Sequence, residues 1–270
     1  GRAAARARPE EVLLLSGGAE GFAMLPRLGA RSAALIHPSF TEPELALREA
    51  GVPVTQVILE PPFELRTAQV PESADLVVLG NPTNPTSVLH PKADVLALRQ
   101  PGRILVVDEA FGDAVPGETE SIAGVESADV LVLRSLTKTW ALAGLRCGYA
   151  IGSPDLLARL SHGRAHWPLG SLQIEAITAC CEPFAVEQSR IKADAIAVDR
   201  RDMSRRLTEI GIAVHEPLRG RSCSSTSVTA PRCESTCVPA ESPSAGATPF
   251  PDSARIGCAW PSVQPSRLQY

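Results

Sequence analysis

RSLTKTWALAGLRCGYAIG, residues Arg134 to Gly152, is the most informative segment of the chain. It places Lys138 between hydroxyl-bearing residues, and Arg146 follows eight positions later beside glycines. A lysine amine can condense with an aldehyde, while Ser135, Thr137 and Arg146 can bind a phosphate. The segment therefore indicates a site for a cofactor that carries both an aldehyde and a phosphate.

Short apolar runs alternate with helical segments on both sides of this stretch. Their nearly continuous apolar character is typical of strands that are covered on both faces. Alternating strands and helices predict an α/β domain with a mostly parallel sheet between helices. The predicted strands are Val12–Leu15, Ala33–Ile36, Val54–Leu59, Leu76–Leu79, Ile104–Val107, Val130–Leu133 and Cys147–Ile151.

The intervening segments predict helices with recognisable starts. Thr41 is a plausible cap for the second of them, and two others begin near a proline, which suits a first helical turn. The last is long and leads out of the sheet domain toward a smaller one. The predicted helices are Ala19–Leu28, Glu42–Ala50, Pro91–Gln100, Pro154–Arg164 and Phe184–Ile210.

Three further elements point to the same chemistry. Ser16–Gly21 is a glycine-rich strand-to-helix junction, where free amides attract anions. Asn81–Thr86, NPTNPT, directly follows a strand, at the end where ligands bind in open α/β sheets. Asp108, in ILVVDEAF, suits a partner for a pyridine nitrogen, because a carboxylate keeps that ring protonated and electron-accepting. The glycine-rich junction is weak alone, and NPTNPT in isolation is more often structural.

The sequence VVDEA also resembles the second nucleotide-binding motif of an ATPase. That interpretation requires a G-x-x-x-x-G-K-[ST] loop upstream. The chain has none: Lys138-Thr139 lacks a preceding glycine run and lies after Asp108. A nucleotide-binding module is therefore the weaker hypothesis.

The four elements occur in the order and rough spacing of the class I/II aminotransferase family, fold type I, which the chain resembles from about Arg8 to Pro217. Within the family the chain looks closest to histidinol-phosphate aminotransferase and its cobalamin-pathway relative, threonine-phosphate decarboxylase. HPSFTEPE (His37–Glu44) and NPTNPTSVLHP (Asn81–Pro91) look most like the cobalamin-associated branch. The resemblance implies a large cofactor domain and a small α+β domain, which is incomplete here.

This resemblance implies pyridoxal phosphate (PLP) as the cofactor and an amino acid or phosphorylated amino acid as the substrate. Lys138 and Asp108 are the implied catalytic residues. The resemblance assigns phosphate binding to Gly18, Ala19, Ser135 and Arg146, ring contacts to Phe40, Asn84 and Asp108, and covalent attachment to Lys138.

The chain departs from the family pattern at three places. Phe111 replaces the tyrosine usual after D-E-A, so one hydrogen bond to the phenolic oxygen is missing. The family's N-terminal region is absent, which predicts a truncated chain. The arginine that binds the substrate carboxylate in the family is expected in a C-terminal strand, and no such motif is present.

The last part of the chain stops following the pattern. From about Leu218, Ser, Pro, Thr and Cys dominate without helical or strand periodicity, which predicts disorder. A GC-rich back-translation shifted by one base reads instead as a strand, a helix and further strands, so a frameshift or sequencing error is the sharper hypothesis. We thus expect a PLP-binding domain at 1–180, a long helix and start of a small domain at 181–217, and an aberrant tail at 218–270.

Composition excludes several other classes. A net charge of −4 gives no basic surface for nucleic acid, and the longest apolar stretches are too short to span a membrane. No secretory signal is visible, so a cytoplasmic location is the default expectation. Cys233 and Cys237 lack a second ligand pair, which argues against a metal site. A homodimer is expected from the resemblance alone.

The sequence therefore predicts a PLP-dependent enzyme that acts at the Cα of an amino acid. Transamination and decarboxylation share the lysine and the electron-accepting ring, so both stay open. The alternative is a catalytically impaired remnant of such an enzyme that lacks the substrate-carboxylate arginine.

Overall fold

A seven-stranded sheet forms the centre of the protein. The structure is a computed structural model that describes residues 7–212 and 214. All seven strands predicted from the sequence are confirmed to within two residues at each end. The strands are β1 (Val12–Ser16), β2 (Ala33–His37), β3 (Val54–Ile58), β4 (Leu76–Gly80), β5 (Ile104–Asp108), β6 (Val130–Ser135) and β7 (Cys147–Ile151).

The sheet has the order β1-β7-β6-β5-β4-β2-β3. Neighbouring strands from β3 to β6 run parallel, while β7 runs antiparallel to both β1 and β6. The predicted mostly parallel sheet is therefore confirmed. Asp108 at the end of β5 pairs with Gly80 of β4 and Leu133 of β6, so the ends of three strands lie side by side.

Helices cover both faces of the sheet. The predicted helices are confirmed with altered ends, and a further helix, α5, was not predicted. It has only two buried side chains, Ile177 and Cys180, so its apolar pattern is weak. The helices in the described residues are α1 (Gly17–Met24), α2 (Glu42–Glu49), α3 (Lys92–Ala97), α4 (Pro154–Ser161), α5 (Ser171–Cys181) and α6 (Pro183–Glu209).

Two apolar cores, one on each face, explain the continuous apolar strands. On β5, Leu105 and Val107 enter one core, while Val106 enters the other. Helices α1, α2 and α4 contribute to the core of Val106, and α3 and α5 contribute to the opposite one. Removing this apolar surface from water is the main favourable contribution to folding.

Two local predictions need correction. Thr41 occupies the cap position of α2, but its side chain makes no capping hydrogen bond. Strand β3 was predicted to be buried, yet Ile58 is 57% exposed and only Val57 is buried within the strand. The reason is position: β3 is the edge of the sheet and pairs only with β2.

The predicted tail at 218–270, with Cys233 and Cys237, lies outside the described residues. Within the described residues, no helix combines the length and apolar character that crossing a membrane requires. Helix α6 carries exposed apolar side chains, including Phe184, Ile191 and Val198.

We expect Gly148→Ala to destabilise the fold strongly. A Cβ at this position of β7 would lie 2.8 Å from the Arg134 carbonyl oxygen and 2.9 Å from Gly17 Cα. Both neighbours are backbone, so the clash cannot be relieved by rotating a side chain, and we expect a loss of about 3 kcal/mol. Urea unfolding followed by circular dichroism measures it. Gly144→Ala is the matched control, because nothing lies within 4 Å of its Cβ; equal stability of the two variants would contradict the prediction.

Candidate active site

The candidate site is a cavity of about 150 Å³ at the carboxyl ends of the parallel strands. Cavities of this size can hold a benzene-sized ring. All eight residues proposed from the sequence line it, and Thr137 and Phe111 lie among them. The lining residues are Gly18, Ala19, Phe22, Phe40, Glu42, Asn84, Asp108, Ala110, Phe111, Ser135, Thr137, Lys138 and Arg146.

Two larger depressions lie elsewhere on the surface, with volumes of about 340 and 570 Å³. Neither has a lysine or an aromatic side chain among its described lining residues. They therefore lack the combination of groups that makes the smaller cavity a candidate for catalysis.

A cradle for an anion forms where β1 turns into α1. Gly17 has a φ of +76°, and a Cβ there would lie 2.7 Å from Arg146 Nη2. Glycine therefore lets the guanidinium of Arg146 lie directly against the turn. The amides at the start of α1 have no partner within the helix, so Gly18 and Ala19 supply donors beside this cation. Guanidinium and helix-start amides together form a donor set suited to phosphate.

Two hydroxyls in the lining of the cavity lie at and just after the end of β6. Ser135 Oγ and Thr137 Oγ1 are 2.7 Å apart and both residues are buried. Hydroxyls can donate or accept, so this pair can turn its donors toward an anion. The sequence predicts Ser135 as a phosphate ligand, and Ser135 lines the same cavity as Arg146.

Asp108 is the carboxylate of the site. Burial raises the pKa of Asp108 to about 6, and Glu109 also raises it, while the Ala110 amide and Lys138 lower it. Asp108 Oδ1 accepts a hydrogen bond from the Ala110 amide at 3.0 Å. The residue is half-buried and lines the open cavity. A carboxylate of this kind is stabilised by a cationic N–H partner.

Lys138 is exposed and reaches into the same cavity. Its Nζ lies 5.6 Å from the centre of the Phe111 ring, at a distance where an ammonium and an aromatic face attract one another. Phe111 thus borders the lysine at the position where the family has a tyrosine. Phe40 lines the same cavity, with its ring centre 6.0 Å from that of Phe22.

The position of Asn84 depends on Asn81, a residue of the same turn that the sequence did not single out. The side chain of Asn81 is buried and bridges the turn: its Oδ1 accepts from the His90 amide at 2.8 Å, and its Nδ2 donates to the His90 carbonyl at 3.2 Å. The Asn81 amide also donates to the Asp108 carbonyl at 2.8 Å. Asn81 therefore holds the NPTNPT turn against the end of β5.

A buried arginine, Arg134, supports the loop after β5 and was also missed. Its Nη2 lies 2.9 Å from Glu109 Oε2 and 2.6 Å from Glu118 Oε2, and its Nη1 lies 3.0 Å from Asp113 Oδ1. Burial alone would lower the pKa of Arg134, but Glu109 and the other carboxylates hold it above its ordinary value. Because Glu109 follows Asp108 and Arg134 precedes Ser135, this network ties two parts of the site together.

Comparison with known proteins identifies the class. The chain belongs to the aminotransferase class I and II family, whose model matches residues 2–220. A histidinol-phosphate aminotransferase of Mycobacterium bovis is 59% identical over 205 residues, which cover 76% of this chain and 56% of that protein. The chain thus spans about half the length of the curated relatives it matches.

Solved structures share the fold. The histidinol-phosphate aminotransferase of Clostridium acetobutylicum has a TM-score of 0.68 at 24% identity, covering 77% of this chain and 65% of that one. The L-threonine-O-3-phosphate decarboxylase of Porphyromonas gingivalis has a TM-score of 0.66 at 21% identity, covering 81% and 68%. These likenesses confirm the fold-type I architecture expected from the sequence.

Members of this family use PLP, and the residues of the cavity fit that group. The space that the backbone leaves at Gly17 admits the Arg146 guanidinium, which with the α1 amides suits a phosphate. Asp108 provides the carboxylate that a protonated ring nitrogen needs, and Lys138 provides an amine.

We expect the carboxylate of Asp108 to make stability depend on pH when no cofactor is bound. Its pKa is raised from 3.8 to about 6. Between these values the folded state holds a proton that the unfolded state has lost, so raising the pH favours unfolding. As the pH rises through this range, the free energy of unfolding of the unmodified chain should fall by up to about 3 kcal/mol relative to that of Asp108→Asn. Because the carboxylate touches the open cavity, we expect a smaller fall than this upper bound.

Urea unfolding of both PLP-free proteins from about pH 4 to about pH 7 measures this difference. Asparagine keeps an oxygen that can accept from the Ala110 amide, so the comparison isolates the charge. Parallel stability curves for the two proteins across this range would show that Asp108 titrates normally.

Proposed function

We propose that this chain forms the cofactor-binding part of a PLP-dependent aminotransferase of the histidinol-phosphate aminotransferase type. The observation that carries the proposal is the meeting of Lys138, Asp108 and Arg146 around one cavity. Family membership and the 59% identity to the M. bovis protein support it. When bound, PLP supplies an aldehyde carbon and an electron-accepting ring.

The residues of the cavity divide into three roles in this proposal. Arg146, with the Gly18 and Ala19 amides and the Ser135 hydroxyl, binds the phosphate and fixes one end of the cofactor. Phe40 would lie against the ring, and Asn84 would donate to the phenolic oxygen. Asp108 holds the proton on the ring nitrogen, because a carboxylate beside N–H keeps that nitrogen cationic.

Lys138 carries the covalent and the acid–base work in this proposal. Its amine would hold the aldehyde group of the cofactor, and as a free amine it would move the proton at the substrate Cα. The absence of a hydroxyl on Phe111 leaves Asn84 as the side chain that contacts the phenolic oxygen. The aromatic face of Phe111 borders the path of Lys138 instead.

The substrate class we propose is a phosphorylated amino compound such as histidinol phosphate. A decarboxylase acting on threonine phosphate is the second candidate, because His37–Glu44 and Asn81–Pro91 resemble that branch most. Which Cα bond breaks depends on which bond stands perpendicular to the ring. In family members, the groups that set this orientation are expected in the C-terminal part of the protein, which lies beyond the described residues of this chain.

Other parts of the proposal rest on resemblance. We propose a homodimer, a cytoplasmic location and a division at about residues 180 and 217 into a cofactor domain, a connecting helix with the start of a small domain, and a tail. The remnant hypothesis also stays a prediction. The described residues of the cofactor site favour a functional cavity, since all eight proposed residues line it.

The PLP proposal predicts a covalent, lysine-dependent complex. The purified chain with PLP should show an absorbance band that free PLP lacks, and borohydride should trap PLP on Lys138, as detected by peptide mass spectrometry. Lys138→Ala should abolish the band and the adduct. Lys92→Ala, on α3 and away from the cavity, is the matched control. Trapping elsewhere, or an unchanged band in Lys138→Ala, would refute the role of Lys138.

Two substrates separate the candidate reactions. With histidinol phosphate and a 2-oxo acid, we expect the PLP-loaded chain to transfer the amino group without releasing carbon dioxide. Chromatography of the amino products and a carbon dioxide assay measure the two outcomes. Carbon dioxide release from threonine phosphate would favour the decarboxylase. A lysine-bound PLP with no turnover of either substrate would favour the remnant hypothesis.

A further inference from the structure

An ion pair lies directly behind the anion cradle. Glu20, on the first turn of α1, accepts two hydrogen bonds from Arg164: Nε to Oε1 at 2.8 Å and Nη2 to Oε2 at 2.7 Å. Glu20 Oε2 also accepts from the Ser16 amide at 2.6 Å. Both side chains are largely shielded, with 22% of Glu20 and 12% of Arg164 exposed.

The position of Glu20 creates an electrostatic problem for an anion site. A carboxylate at a helix start is stabilised by the same positive end that attracts a phosphate. Glu20 already takes the Ser16 amide, immediately before the Gly17–Ala19 cradle. An unpaired carboxylate there would repel a phosphate and compete for the remaining amides.

The geometry of Arg164 removes this conflict. Its planar guanidinium binds both oxygens of Glu20, which compensates the charge and fixes the carboxylate in one orientation. The Gly18 and Ala19 amides and the Arg146 guanidinium then stay available to the cavity. Because the pair is largely shielded from water, its charge compensation is less screened than that of a surface pair.

We propose that Arg164 is a positioning residue for the cofactor phosphate, which acts by neutralising Glu20 behind the cradle. The inference rests on the proposed function, since it takes the cradle as a phosphate site. Arg164 does not line the cavity, so it acts through Glu20 and not by touching the ligand. The ligand class is a phosphate monoester dianion or inorganic phosphate.

Substitutions that replace a charged side chain by neutral glutamine separate this role from a merely structural one. Arg164→Gln leaves Glu20 charged and should weaken PLP binding on the order of tenfold. Glu20→Gln keeps an oxygen for the Ser16 amide but frees Arg164 from its counter-charge. It should therefore bind phosphate as tightly as the unmodified chain or more tightly. The double variant Glu20→Gln/Arg164→Gln lacks both charges and should recover most of the loss.

The experiment measures PLP affinity by equilibrium dialysis and inorganic phosphate affinity by calorimetry for these three variants and the unmodified chain. The unfolding midpoint of each is the control for folding. An Arg164→Gln affinity equal to that of the unmodified chain would overturn the proposal. So would a double variant as weak as Arg164→Gln, or a Glu20→Gln variant that binds phosphate more weakly, since a structural pair predicts both.

The two proposals fail in different ways. If the unmodified chain gives no lysine-dependent PLP complex, the proposed function fails, while phosphate titration of Glu20→Gln still tests the pair. If PLP binds but charge removal changes no affinity, the role of Arg164 fails and the proposed function stands. Should Arg164→Gln not fold, the direction of change in Glu20→Gln decides the question.

Discussion

The close approach of two glycines is the constraint on which the site depends. A Cβ on Gly148 would lie 2.9 Å from Gly17 Cα, so the turn from β1 into α1 can rest on β7 only when position 148 carries no side chain. This contact brings the first amides of α1 to Arg146, the residue just before β7. The anion cradle is therefore a product of how the sheet and its first helix pack, and a loop alone would not fix it.

Much of the fold and the site could be predicted because the signals are local. Strands such as Leu76–Gly80 are buried on both faces, which leaves continuous apolar runs in the sequence. Asp108 and Ser135 end such runs, and parallel strands bring their carboxyl ends to one edge. Lys138 and Arg146 were recognisable from their spacing. The structure places all of these around one cavity, although their roles remain proposals.

What the sequence did not reveal are contacts between distant segments. Arg134 resembles an ordinary strand residue, and only the folded chain shows the carboxylates of Glu109 and its neighbours around it. Glu20 and Arg164 are 144 residues apart, so no local pattern pairs them. The exposure of Ile58 follows from the edge position of β3, which strand composition does not encode.

The raised pKa of Asp108 also couples the folding of this protein to the supply of its cofactor. Burial of this carboxylate, which the charge of Lys138 offsets only in part, makes the empty protein less stable near neutral pH. A ligand that binds only the folded state adds about 2.7 kcal/mol of stability at a hundredfold excess over its dissociation constant. We therefore expect the amount of folded protein in a cell to follow vitamin B6 status, with the empty chain the preferred target of proteolysis.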